Sequence, residues 1–153
     1  MEIKLVDVPN LDIPSGTKAR WRVVTLEIDG RNPAYDQLAE WYGSYDLTNK
    51  IEKPGPEFKK IAKSMVRAAT REIVRSDKFV VKSTNPKHGD VYELRAPGGK
   101  ARIMFFYDDD AESLIVCTNP YSKGKGHTNK AQDRAFAHCA FLKEKYLQWK
   151  KEQ

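Results

Sequence analysis

A chain of 153 residues that is 40% hydrophobic, 31% charged and 10% aromatic is too apolar for a disordered or collagen-like polypeptide. A chain this long buries about 70% of the surface its unfolded form exposes, so one domain over 1–153 is expected. Its apolar runs fall short of the roughly 18 residues of a membrane helix, and Met1-Glu2-Ile3-Lys4 opens no apolar signal segment, so the expected address is cytoplasmic, with no membrane partner.

The net charge of +6 is unevenly placed. Residues 1–50 carry six Lys/Arg against eight Asp/Glu, and residues 51–153 carry 21 against 13. A bound anion and a plain solvated basic surface both account for this excess. Cys117 and Cys139 have no metal-ligand spacing and form no CxxC, so two buried thiols are expected.

In chain order, residues 1–20 hold Pro9, Pro14 and Ser15-Gly16, which predicts an irregular N-terminal extension or a short edge strand. Trp21 to Ile28 is rich in β-branched residues and is stopped by Asp29-Gly30: a strand. Pro33 begins a short helix that carries Ala34, Leu38, Ala39, Trp41 and Tyr42 as far as Gly43. After Pro54-Gly55-Pro56 a second helix places Phe58, Ile61, Ala62, Met65, Ala69 and Ile73 on one stripe. Lys59, Lys63, Arg67, Arg71 and Arg75 lie on the opposite side. Such a cationic row costs about a few tenths of a kcal/mol per pair in an isolated helix, which a polyanion would relieve.

Strands follow at Phe79–Val81, Val91–Arg95, Ala101–Tyr107 and Leu114–Thr118, the last three as an antiparallel meander turned at Pro97-Gly98-Gly99 and at Asp108-Asp109-Asp110. A polar loop from Asn119 to Lys130 leads to a last helix, about Asn129 to Trp149, with Ala135, Cys139, Leu142, Tyr146 and Trp149 on one stripe.

Two places could carry chemistry. A type I′ turn at Gly98-Gly99 pairs Arg95 with Arg102, and two facing arginines call for an anion between them: either a phosphate or the internal carboxylate of Glu93. The loop adds Lys123 and Lys125 between glycines, and His127, which exchanges protons near neutral pH. No GxxxxGK[ST] nucleotide loop and no metal-ligand cluster stands out, so neither metal nor cofactor is expected.

Val91-Tyr92-Glu93-Leu94-Arg95, a Gly-containing turn, Arg102-Ile103-Met104-Phe105-Phe106-Tyr107, an apolar strand, and a Lys-rich loop before an Ala-bearing helix together resemble the RelE/HigB superfamily of type II toxin–antitoxin toxins, in particular its phage-derived HigB-like branch. The resemblance spans about residues 21–147 and is strongest over 91–135. It implies an α+β fold of the RelE kind: a small antiparallel sheet of three to five strands, two N-terminal helices packed on it, and a C-terminal helix. It also implies a ribosome-dependent mRNA endoribonuclease that drives the ribose 2′-OH onto the adjacent phosphate without metal. Its partners would be mRNA, the ribosome and a cognate antitoxin, a helix-turn-helix protein from the adjacent gene.

By position, Arg95 matches a catalytic basic residue, Arg102 the transition-state arginine, and Lys123 or Lys125 the loop cation. His127 is the candidate general acid or base, with Tyr121 second. Lys59, Lys63, Arg67, Arg71, Tyr121 and Lys130 are the expected RNA contacts. Glu93 stands where some relatives have a second lysine, and the chain is longer than typical members. Two other readings remain open: a non-enzymatic, gyrase-directed inhibitor on the ParE branch of this fold, and an inactive phage-derived protein that binds RNA or an antitoxin.

Overall fold

A computed structural model describes residues 2–8, 11–42, 55–74, 77–122 and 129–153. The N-terminal extension is not irregular throughout, because it contributes strand β1 (Ile3–Asp7), antiparallel to β2 (Arg22–Ile28) with Ile3 opposite Ile28 and Asp7 opposite Val24. β2 stops where expected. Asp29 and Gly30 take φ of 49° and 80°, the left-handed values of a tight two-residue turn, and Ile28 and Arg31 exchange backbone hydrogen bonds across them.

Asn32 then caps helix α1 (Pro33–Tyr42): its Oδ1 accepts from the Tyr35 N–H at 2.8 Å. The same buried amide donates to Thr25 Oγ1 at 2.8 Å, tying the helix start to β2. Helix α2 (Pro56–Ala69) buries Phe58, Ile61, Met65, Ala68 and Ala69 and exposes Lys59, Lys63 and Arg67. It is shorter than the expected stripe. Thr70 ends it, so Ile73 is exposed and Arg71 lies just beyond the last turn.

Strands β3 (Val80–Lys82), β4 (Tyr92–Arg95), β5 (Ala101–Asp108) and β6 (Leu114–Ser122) are antiparallel to one another in sequence. The whole sheet, ordered β1-β2-β6-β5-β4-β3, has six strands and not three to five. It is also mixed. β6 runs parallel to β2, with Val23 opposite Ile115, which is possible because both helices and three strands intervene and supply the long crossover that parallel pairing needs.

One face of the sheet packs Val23, Leu94, Ile103, Phe105 and Ile115 against Leu38 of α1 and Phe58 and Ile61 of α2. The other packs Val24, Leu26, Met104, Phe106 and Val116 against Phe136, Cys139 and Tyr146 of helix α3 (Asn129–Lys151). The central strands are therefore buried on both sides, and β5 reads as an almost unbroken apolar run. Cys117 and Cys139 are the expected free, buried thiols, and burial pushes both up to about 12.

Candidate functional site

On β4 the side chains alternate, so Tyr92 and Leu94 serve the core under α1 and α2 while Glu93 and Arg95 face the α3 side. β5 places Arg102 directly opposite Arg95, as the sequence predicts. The turn itself differs. The Gly99 N–H donates to the Ala96 carbonyl at 2.8 Å and Gly98 has φ of 77°, so Pro97 and Gly98, not Gly98 and Gly99, are the central residues. Proline's fixed φ suits the first central position and glycine's freedom the second, as in a type II turn.

Helix α2 holds this hairpin tip. Glu57 Oε2 accepts from the backbone N–H of Lys100 at 2.8 Å and of Ala101 at 3.1 Å, while Lys60 Nζ donates to the Gly98 carbonyl at 3.2 Å. Ser64 Oγ donates to the Arg95 carbonyl at 2.8 Å. The arginine pair thus stands on a braced hairpin.

Glu93 supplies the carboxylate between the arginines. Its side chain is 0% exposed; Arg95 Nη2 donates to it at 3.2 Å and Arg102 Nε lies 3.2 Å from its Oε1. Tyr121 Oη donates to Oε1 at 2.9 Å and Gln132 Nε2 to Oε2 at 2.6 Å, so the buried charge is solvated by protein donors. The two arginines outnumber the carboxylate by one positive charge.

The arginines are not equivalent. The Arg102 side chain is 7% exposed, and its Nη1 donates to the carbonyls of Gly99 at 3.0 Å and Ala101 at 2.9 Å. Burial lowers its pKa, opposed by the charge of Glu93 and assisted by that of Arg95; an arginine so placed stays charged. The Arg95 side chain is 31% exposed, and its Nε is buried without a hydrogen-bond partner among the described residues. Arg95 is the reachable member of the pair.

Tyr121 was expected in a polar loop, but β6 continues through it: Arg102 is its cross-strand partner. Asn119, in the same stretch, is pinned by its Nδ2 donating to the Ala135 carbonyl at 3.1 Å. Burial, and then the charge and hydrogen bond of Glu93, raise the Tyr121 pKa. The phenol therefore keeps its proton at neutral pH.

The structure brings Arg95, Arg102 and Tyr121 together and sets exposed Lys130 on the first turn of α3. Lys123, Lys125 and His127 lie outside the described residues. The cationic row does not join the arginine pair, because α2 packs on the opposite face of the sheet. There Arg67 and Arg71 stand 4.6 and 5.4 Å over the Phe79 ring, and Arg71 pairs with Asp77 at 3.4 Å. Gln132, which joins α3 to the site, carries no signal in the sequence.

Among the described residues, no helix is long and apolar enough to cross a membrane, and no three His, Cys, Asp or Glu side chains are grouped to hold a metal ion. Comparison of the chain with protein-family models, with curated proteins and with solved structures found no match.

Proposed function

We propose that this chain is the toxin of a type II toxin–antitoxin pair of the RelE/HigB kind, an mRNA endoribonuclease that acts on ribosomes. The observation that carries the reading is the Arg95/Arg102 pair, registered across one hairpin with a surplus positive charge, at the positions the resemblance matches to a catalytic basic residue and to the transition-state arginine. The element order supports it: strand β2, two helices, an antiparallel meander and a last helix.

In the proposed reaction the ribose 2′-oxygen bonds to the adjacent phosphorus, the bond to the 5′-oxygen breaks, one proton leaves the 2′-OH and another reaches the departing oxygen. The pentavalent species carries extra negative charge, which fixed cations stabilise more than they stabilise the ground state. Arg95, the more exposed member, contacts the phosphate, and Arg102 adds its field from behind. Tyr121 keeps its proton and donates a hydrogen bond to Glu93, so it holds the carboxylate between the arginines and does not act as the base. His127 is the proposed proton-transfer residue. The partners are mRNA, the ribosome and an antitoxin that covers the arginine face.

One observation favours a second reading. Arg102 is nearly buried, with Glu93 and two backbone carbonyls already around its donors, which suits a structural arginine in a non-enzymatic, gyrase-directed inhibitor or an inactive RNA- or antitoxin-binding relative. Induced expression separates the two. The first reading expects growth arrest that Arg95→Ala and Arg102→Ala abolish, with mRNA cut inside codons only when ribosomes are present. Arrest with intact transcripts, relieved in gyrase-resistant cells, would establish the second.

A further inference from the structure

Beside the arginine pair a groove of about 650 Å³ runs between β3 and the first two turns of α3. Gln132 is common to both: its amide holds Glu93 and its side chain forms part of the groove wall. Lys82 lines one side and Lys130 and Arg134 the other, over an apolar floor that includes Val81 and Phe136.

The placement of Lys130 and Arg134 is unfavourable without a ligand. They sit four residues apart, so they repel each other, and Lys130 occupies the first turn of a 23-residue helix, where the dipole favours anions. Both are exposed and, among the described residues, neither forms an ion pair. Lys82 pairs with Asp90 at 2.8 Å. Among the described residues the lining sets Lys82, Lys130 and Arg134 against the carboxylate of Asp133, so the groove keeps a surplus of positive charge.

We propose that this groove is a track for single-stranded RNA leading away from the arginine pair. The inference rests on the RNA reading above and extends it from Lys130, already an expected RNA contact, to Lys82 and Arg134 and to the groove between them. Ser83 bonds to Val91 across the sheet, four residues before Arg95 on the neighbouring strand. At about 3.3 Å per residue the track is therefore about 13 Å long, enough for more than one nucleotide. The floor that includes Val81 and Phe136 is apolar, which suits unpaired bases better than the polar backbone of a duplex, and the α2 cations face away from it.

The test is anisotropy titration of the full chain with a fluorescein-labelled oligouridylate of about ten nucleotides across a range of salt. Lys130→Ala/Arg134→Ala, two exposed positions, is expected to weaken binding about tenfold and to flatten the slope of log Kd against log salt by about 1.4. Unchanged affinity and slope, with an unchanged melting curve, would overturn the track. Equal weakening toward an RNA duplex of the same length would overturn its assignment to a single strand.

Ribosomal cleavage assays keep the two ideas apart. If the wild type cuts mRNA on ribosomes while the double variant binds oligouridylate normally, the track falls and the toxin reading stands. If the wild type leaves mRNA intact while the double variant loses oligouridylate, the track stands and the toxin reading falls.

Discussion

Arg102 Nε stands 3.2 Å from Oε1 of Glu93, a carboxylate with no solvent exposure. The pair is the centre of a small polar cluster set into an apolar sheet face, with Arg95, Tyr121 and Gln132 completing it. Removing one member of such a cluster leaves an uncompensated buried charge, which costs more than the intact pair contributes.

Glu93→Ala is therefore expected to lower stability by about 3–5 kcal/mol, because it leaves two arginines facing each other and strands the donors of Tyr121 and Gln132. Urea denaturation measures this. A loss below about 1 kcal/mol would show that water or a rearranged side chain replaces the carboxylate.

The two arginines should separate in the same experiment. Arg102→Ala is expected to cost about 3 kcal/mol or more, since it removes the buried partner of Glu93 and the donors to Gly99 and Ala101. Arg95→Ala, at a part-exposed position, is expected to cost about 1 kcal/mol. Equal losses would contradict the division into a structural and a reachable arginine. Arg95→Ala is accordingly the cleaner probe of function.

At the far end of β5, Asp108 accepts from Tyr146 Oη and from Lys150 Nζ at 2.9 Å. Burial acts to raise the Asp108 pKa, but the hydrogen bonds from Tyr146 and Lys150 outweigh it and hold the carboxyl below its ordinary value. A pKa lower in the folded than in the unfolded chain contributes stability above about pH 4 that is lost as pH falls through the folded value. Asp108→Asn should be less stable at neutral pH, with a flatter decline on acidification. Parallel stability curves for the two proteins would refute this.

Gly98→Ala should cost about 1 kcal/mol. Gly98 has φ of 77°, yet a Cβ built there meets no atom within 4 Å, so the cost is conformational and not steric. Thermal unfolding checks it. A loss of about 3 kcal/mol or more would mean that the turn had also changed its contacts.

Much of the fold is legible because the apolar pattern is local. The α2 stripe and the β-branched run of β2 repeat at helical and strand periods, and Asp29-Gly30 punctuates the second without ambiguity. β1 stayed half-hidden among the prolines of 1–20, since five residues at a sheet edge show little alternation. The parallel pairing of β2 with β6, Arg22 opposite Leu114, is a relation between distant segments that neither segment encodes alone.

At the site, cross-strand counting from the turn puts Arg95 opposite Arg102 and makes Glu93 available to both. That register survives although the turn is centred on Pro97-Gly98, because Lys100 stays outside the ladder: its N–H and that of Ala101 bond to Glu57, and residues 96–100 join the strands. Gln132 and Arg134 depend on where α3 docks, which composition does not reveal. Tyr121 looked like a loop residue because Asn119 and Pro120 precede it; burial of its ring and the bond to Glu93 keep it in the strand.

The central claim is most directly tested by mapping transcript ends in a reconstituted translation system, with and without ribosomes, for the wild type and for Arg95→Ala. The account predicts cuts inside codons for the wild type with ribosomes, none without them, and none for the variant. Intact transcripts with the wild type on ribosomes, or cuts that persist in Arg95→Ala, would contradict it.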